Sequence, residues 1–422
     1  MSEDMQVPLF DLIMSLSGVM DLVSPAVANH HKQVAYISCC IAEAVGLPQK
    51  DREELVLAAA LHDAGAFYLK EKLQLLHFEV QHPHEHAVCG YLLLLDMEPL
   101  QHMADLVRYH HVPWNNGQGS EFKGGDVPIG SHLIHLADRV AVAINRNYSV
   151  LAQVSGICNK VKSMSGSQFN PDLVNAFGEV AVKESFWLDT VTPSLDTILS
   201  RKFKLGTVPL HDLCGLTKMI SRIIDFRSAF TATHSSGVAA TAEITAKIAG
   251  FSDIQCQAMR VAGYLHDVGK LAVATEILEK PAQLGADEIH IMRSHTYHTY
   301  RTLEPIEELH EINSWASYHH EHLDGSGYPF HLLGDELSTG ARIMAVADVF
   351  TAITEDRPYR KGMSSDGALM VLQAMADHSK LDSDVVGIVN EYFGEINSIR
   401  GVAQAKAVGE HRQFLQRLNA SH

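Results

Sequence analysis

His266 and Asp267 stand side by side at the end of an apolar helical run, in Tyr264-Leu265-His266-Asp267-Val268-Gly269-Lys270. Neighbouring side chains on a helix diverge by about 100°. Such a pair reaches one cavity from two angles, and its carboxylate is able to bridge two metal ions. Lys270, one turn after His266, faces the same cavity. A lone His-Asp dipeptide is commonly a surface or capping pair, but here it has company. His234, His295, His319, His320 and Asp348 begin or end helical segments in the same half of the chain. Imidazole nitrogen and carboxylate oxygen without thiolate suit iron or manganese, zinc less well, at a site with positions left open for water and substrate. Seven such ligands exceed what one ion needs and are enough for two. Two divalent ions held close together activate water and neutralise a phosphoryl group during in-line displacement.

The elements that must position these residues occur twice. An offset of 204 lays His30 on His234, Gly46 on Gly250, and Leu61-His62-Asp63 on Leu265-His266-Asp267 without a gap. With five more residues in the second copy, His86 meets His295 and His110-His111 meets His319-His320, the two groups lying 24 residues apart in both copies. One further insertion brings Asp138 onto Asp348. A repeat that preserves polar, metal-capable residues places a similar fold in each half. Glu53 to His62 and Gln257 to His266 carry apolar residues at 3.6-residue spacing, and period-2 alternation is scarce. The expected class is all-α, with tandem helical domains at 1–205 and 206–422. The stretch from Val150 to Ser200 has no counterpart in the second half and is expected to supply helices and connections between the copies.

Composition narrows the partners. The 422 residues exceed one ordinary core, and 50 acidic against 33 basic residues give a formal charge of −17. That balance argues against a broad basic surface for long nucleic acid, while leaving room for a small anion in a local site. Six cysteines without a paired framework make a reduced, cytoplasmic setting the default, and no uncharged apolar stretch is long enough to span a membrane. Cys39 and Cys40 read as core or half-buried thiols, Tyr297, Tyr300 and Tyr318 as packing aromatics, and His77, His82 and His84 as loop decoration. A homodimer is compatible with all of this.

The most specific string is His319-His320-Glu321-His322-Leu323-Asp324-Gly325-Ser326-Gly327-Tyr328-Pro329, whose glycines allow a tight turn after two ligands. Together with His266-Asp267-Val268-Gly269-Lys270, the His295 position, and Ala345-Val346-Ala347-Asp348-Val349-Phe350 leading to Asp356-Arg357-Pro358-Tyr359-Arg360-Lys361, it resembles the HD-GYP domains of bacterial cyclic-dinucleotide phosphodiesterases. The matching features run in family order over roughly Leu216 to Ala376. The resemblance implies hydrolysis of a 3′,5′-phosphodiester in a cyclic dinucleotide, cyclic di-GMP or 3′,3′-cyclic GMP-AMP, to a linear dinucleotide. It implies His234, His266, Asp267, His295, His319, His320 and Asp348 as ligands of two divalent ions, iron or manganese. Asp267 and Lys270 are then the catalytic residues, Lys270 contacting the scissile phosphate, and Arg357 and Arg360 grip phosphate oxygens. Members with three metals carry a glutamate where this chain has Phe230, which favours two ions here. The acidic residue usual after the lysine is also absent, the chain reading Lys270-Leu271-Ala272, and this leaves the bases of the substrate open.

The first half resembles an HD-superfamily domain outside the HD-GYP group. It keeps His30, His62, Asp63, His86, His110, His111 and Asp138 as a second set able to hold metal. Its phosphate-handling residues are gone: Ala66 stands for Lys270, Asn147 for Arg357, and Val112-Pro113-Trp114 follows the paired histidines. A structural or regulatory role is expected there. The alternatives for the whole are a cyclic-dinucleotide receptor or scaffold, which would be expected to lose ligands or Lys270, and an HD-type nucleotide phosphohydrolase.

Overall fold

Apolar residues at helical spacing fold nearly every segment into helix in the computed structural model, which describes residues 5–22, 28–66, 84–203, 206–226, 233–280, 282–356 and 361–421. The fold is all-α. The strands among the described residues are short: β1 (Gln6–Pro8), β2 (Glu121–Phe122), β3 (Gly125–Asp126) and β4 (Thr207–Pro209). β2 and β3 form a minimal antiparallel ribbon. β1 pairs antiparallel with β4, Val7 opposite Val208.

The chain divides into two units, one of Leu9–Gly206 with Arg417–His422 and one of Thr207–Gln416 with Met1–Pro8. The first contains α1 (Leu9–Asp21), α2 (His30–Ala44), α3 (Gln49–Leu61), α4 (His84–Leu95), α5 (Ala104–Arg108) and α6 (Ile129–Ala143), followed by α7 (Val154–Ser163), α8 (Pro171–Ala181), α9 (Glu184–Thr190) and α10 (Leu195–Lys202). The second contains α11 (Leu210–Phe226), α12 (His234–Ile248), α13 (Asp253–Leu265), α14 (Thr275–Leu278), α15 (Ala286–Leu303), α16 (His310–Ser317), α17 (Thr339–Thr354), α18 (Ser365–Asp377) and α19 (Ser383–Glu391), and most of α20 (Phe393–Ala420).

The repeat is visible in how the elements pack and end. α2 lies against α3 and α6 in the first unit, as α12 lies against α13 and α17 in the second. α2 and α12 both stop at a glycine with positive φ, Gly46 at 73° and Gly250 at 88°, where an L side chain would be strained. α13 starts with a reciprocal cap: the Ser252 hydroxyl accepts from the Gln255 N–H, and the Gln255 side chain accepts from the Ser252 N–H. Its buried face is Cys256, Met259, Val261, Ala262 and Leu265, so the helix runs inward and delivers the next residue, His266, into the interior. α17 does the same for Asp348 behind Ile343, Met344, Val346 and Ala347. Among the described residues no helix is long and apolar enough to cross a membrane.

Candidate metal centre

In the second unit four ligand candidates sit at helix ends, whereas His295 lies within α15 and Asp348 within α17, and not at the helical boundaries that the sequence predicts for them. His234 opens α12, His266 caps α13, and His319 and His320 follow the last turn of α16. The last carbonyls of a helix lack an intrahelical donor. His266 Nδ1 donates to the Gly263 carbonyl at 2.7 Å and His319 Nδ1 to that of Ala316 at 2.6 Å, while within α15 His295 Nδ1 donates to Met292 at 2.6 Å. A carbonyl only accepts, so the proton lies on Nδ1 in all three rings and Nε2 is left as a lone-pair donor.

Those Nε2 atoms converge. His295 Nε2 lies 3.4 Å from His319 Nε2 and 3.4 Å from Asp267 Oδ1, and His266 Nε2 lies 3.2 Å from Asp267 Oδ2. His234 Nε2 meets Asp348 Oδ1 at 3.1 Å, and His320 Nδ1 stands 3.8 Å from Asp348 Oδ2. Three sets of donor atoms lie within 4.8 Å of one another: His234, His266 and Asp348; His266, Asp267 and His319; and His295, His319 and His320. His266 Nε2 is buried and makes no hydrogen bond. A buried polar atom in that state is costly unless an unseen partner takes it. The donor set and this orphaned nitrogen fit divalent cations.

Electrostatics supports the same reading. Burial, opposed only in part by Asp267, pushes His295 down to about 3, and burial pushes His320 down to about 4, so both rings stay neutral at ordinary pH. Burial alone would raise Asp267, but His266 and Lys270 hold it well below the usual carboxylate range. Lys270 Nζ donates to Asp267 Oδ2 at 2.6 Å. His320 is the open side of the site, with 30% of its side chain exposed, and Lys270 follows with 19%.

Two family models, each described as HD domain, match residues 27–143 and 218–385, together about two thirds of the chain. The chain is a tandem HD-domain protein. Its second domain is of the HD-GYP type. The tandem HD protein is 28% identical over 388 residues to 3′3′-cGAMP-specific phosphodiesterase 1 of Vibrio cholerae, with 89% of each chain covered. It is 35% identical over 157 residues to the cyclic di-GMP phosphodiesterase response regulator RpfG of Xanthomonas campestris, covering 37% of this chain and 42% of that one. Its fold matches a crystal structure of a cyclic GMP-AMP specific phosphodiesterase of V. cholerae with a TM-score of 0.64 at 21% identity, covering 96% and 98% of the two chains.

The first HD domain repeats the geometry. His62 Nδ1 donates to Ala59 at 2.8 Å and His110 Nδ1 to Val107 at 2.6 Å. His86 Nε2 lies 3.1 Å from Asp63 Oδ1 and 3.4 Å from His110 Nε2, and His30 Nε2 lies 3.4 Å from Asp138 Oδ1. Asp63, His86, His110 and His111 form one set and His30, His62 and Asp63 another. Ala66 is buried where the second domain has Lys270.

Some expectations meet different surroundings. Arg357, Arg360, Phe230, His77 and His82 lie outside the described residues. His84 starts α4 with its ring 5.0 Å from Phe122, so it is a helix residue and not loop decoration. Tyr300 and Tyr318 stack at 6.3 Å and both meet the edge of Phe330, just beyond the glycine turn. Cys39 is buried and Cys40 half-buried.

Three supporting residues of the second domain carry no mark in the sequence of the task they perform. Glu321 belongs to the motif string, yet it is buried with its carboxylate accepting the N–H groups of Phe330 at 2.7 Å and Leu332 at 3.0 Å, so it clamps the Tyr328-Pro329 turn and touches no ligand set. Thr299 Oγ1 donates to the His266 carbonyl and accepts from Gly269 N–H, both at 3.0 Å, pinning the His-Asp segment to α15. The contact is close enough that a Cβ on Gly269 would fall 1.9 Å from the His295 carbonyl oxygen; Gly65 meets His86 in the same way at 2.2 Å.

Glu355 accepts from His234 Nδ1 at 3.2 Å and from Gln404 Nε2 of α20 at 3.0 Å. Burial disfavours charge on His234, but Glu355 and Asp348 outweigh it and hold the ring up at about 10. Glu355 follows Asp348 by two helical turns on one face, the only signal the sequence offered. As a positioning residue, its replacement in Glu355→Gln is expected to weaken metal retention roughly 10- to 100-fold. Competition against a graded chelator checks this, the circular dichroism spectrum remaining that of the wild type.

Proposed function

We propose that the second HD domain hydrolyses one 3′,5′-phosphodiester of a cyclic dinucleotide and releases a linear dinucleotide. The observation that carries this reading is the convergence of His234, His266, Asp267, His295, His319, His320 and Asp348 on one centre, with Lys270 Nζ beside Asp267. These residues would hold two divalent ions, iron or manganese. When bound, the ions supply charge neutralisation at the phosphate and a more acidic water.

The chain's own residues do the rest. Asp267, held ionised, presents one oxygen toward the His295 side and the other toward His266, and would help to hold both ions. Lys270 is the cation nearest that carboxylate, and meets the charge that grows on the phosphate or on the departing ribose 3′ oxygen. Water adds to phosphorus and gives up a proton, the bond to the 3′ oxygen breaks, and that oxygen leaves as the hydroxyl with a proton in its turn, so that one water is consumed per bond. His320 and Lys270 form the accessible face where the phosphate enters, and Arg357 and Arg360 grip its outer oxygens.

The relative that spans both domains is named for 3′3′-cGAMP, which makes that dinucleotide the first choice over cyclic di-GMP. The test is a product assay on protein loaded with Fe(II) or Mn(II) under anaerobic conditions, given each cyclic dinucleotide in turn. A linear dinucleotide, formed fastest from 3′3′-cGAMP and abolished by EDTA, is expected. Tight binding of a cyclic dinucleotide by fully loaded protein without product would establish the receptor reading instead.

A further inference from the structure

We propose that the first HD domain holds a pair of divalent cations in a site closed to organic substrates, so that the metal there braces the fold and turns nothing over. The observations belong to the first domain alone and do not depend on the activity assigned to the second.

The donors are assembled. Asp63 belongs to both sets, with His86, His110 and His111 on one side and His30 and His62 on the other, so it is placed to bridge two ions. Four of the atoms, His62 Nε2, Asp63 Oδ1, His111 Nε2 and Asp138 Oδ1, are buried and form no hydrogen bond. They lie near other donors, as Asp63 Oδ1 does to His86 Nε2 at 3.1 Å and to His110 Nε2 at 3.6 Å, and the ligand atoms of each set lie within 4.8 Å of one another. The second domain's ligands include one such orphan, His266 Nε2. Stranding this many polar atoms in a core is unfavourable unless something takes their lone pairs, and donor atoms clustered within 4.8 Å of one another suit a divalent cation.

The open side is filled. His320 in the second domain is partly exposed, whereas its counterpart His111 is buried. His111 is covered by His135, ring centroids 5.8 Å apart, and His135 is backed edge-on by Phe169 at 5.4 Å. His135 projects from α6 where α17 carries Ala345, and Phe169 comes from the stretch that has no counterpart in the second half. Next to Asp138, buried Arg139 replaces Val349 and donates to Asp138 Oδ2 through Nε at 3.1 Å and through a terminal nitrogen at 2.6 Å. One oxygen of Asp138 is thereby committed and Oδ1 remains as a single ligand atom. With Ala66 in place of Lys270, nothing at this centre awaits a phosphate.

The test uses the full chain with the second site disabled by the double change His266→Ala and Asp267→Ala. Loaded with Mn(II) and desalted, this protein is expected to retain about two ions per chain by mass spectrometry. It should lose both on the further change Asp63→Ala or, should that variant misfold by circular dichroism, His110→Ala. EDTA should lower the melting temperature of the double variant and leave that of the metal-free variants unmoved. Addition of cyclic or linear dinucleotide should leave the Mn(II) electron paramagnetic resonance spectrum unchanged. Retention of fewer than two ions, or no drop on removing a first-domain ligand, overturns the metal pair. A spectrum altered by dinucleotide overturns the closure.

Discussion

The Asp267→Ala protein is expected to lose hydrolysis of cyclic dinucleotide by at least ~10³-fold. It should also bind less metal in its second domain. Both effects have one origin. Asp267 contributes an oxygen on each side, 3.4 Å from His295 Nε2 and 3.2 Å from His266 Nε2, and no other carboxylate among the described residues stands between those two rings. Removing it takes the one carboxylate from the set of His266, Asp267 and His319, and with it the acceptor 2.6 Å from Lys270 Nζ. His266→Ala acts on the same centre by deleting a ring already locked in the ligating tautomer. Steady-state turnover and metal content measured on one preparation decide the matter. Wild-type turnover in either variant would end the two-ion assignment.

Lys270→Ala separates chemistry from metal binding. Its ammonium donates to an oxygen of Asp267 and, having no lone pair, is no metal ligand, so the variant should keep near-normal metal content. The rate should fall by roughly 10² to 10³-fold, the usual effect of deleting one preorganised charge that stabilises a developing anion. The change is expected in kcat more than in KM, because that charge grows in the transition state. Loss of metal in parallel with rate would show that Lys270 supports Asp267 and does not act on phosphate.

What the sequence disclosed and what it concealed follow from how each residue is used. The all-α architecture was legible because 3.6-residue periodicity covers most segments and because one half repeats the other. The ligand candidates were legible because metal-capable residues seldom recur at matched spacing in two copies unless each set shares a cavity. His266 and His62, His295 and His86, and His319 and His110 indeed sit in equivalent surroundings, down to the same 3.4 Å approach in each copy. The supports were not legible. Glu355 and Thr299 work through hydrogen bonds to a ring or to backbone brought near by tertiary packing, and a lone Thr, or a lone Glu two turns after an Asp, does not single itself out in a helical sequence. Glu321 was legible as part of a string but not in its task, because its partners are backbone N–H groups, which look alike in every sequence. The covering of His111 depends on Phe169 in a segment that aligns with nothing, so no comparison between the halves could reveal it.

The pairing of β1 with β4 bears on how the protein comes to be folded. Val7 and Val208, opposite each other in that ribbon, are made far apart in time: at elongation rates of about 5–20 residues per second, roughly 10 to 40 s separate them. Throughout that interval the strand Gln6–Pro8 has been made while its partner does not yet exist, and the first HD domain is synthesised in between. The second domain's ribbon is therefore closed late, by a segment that has waited through the synthesis of another domain. A contact of such long sequence separation is entropically slow to form, which places the completion of the catalytic domain after, and not alongside, the emergence of its neighbour.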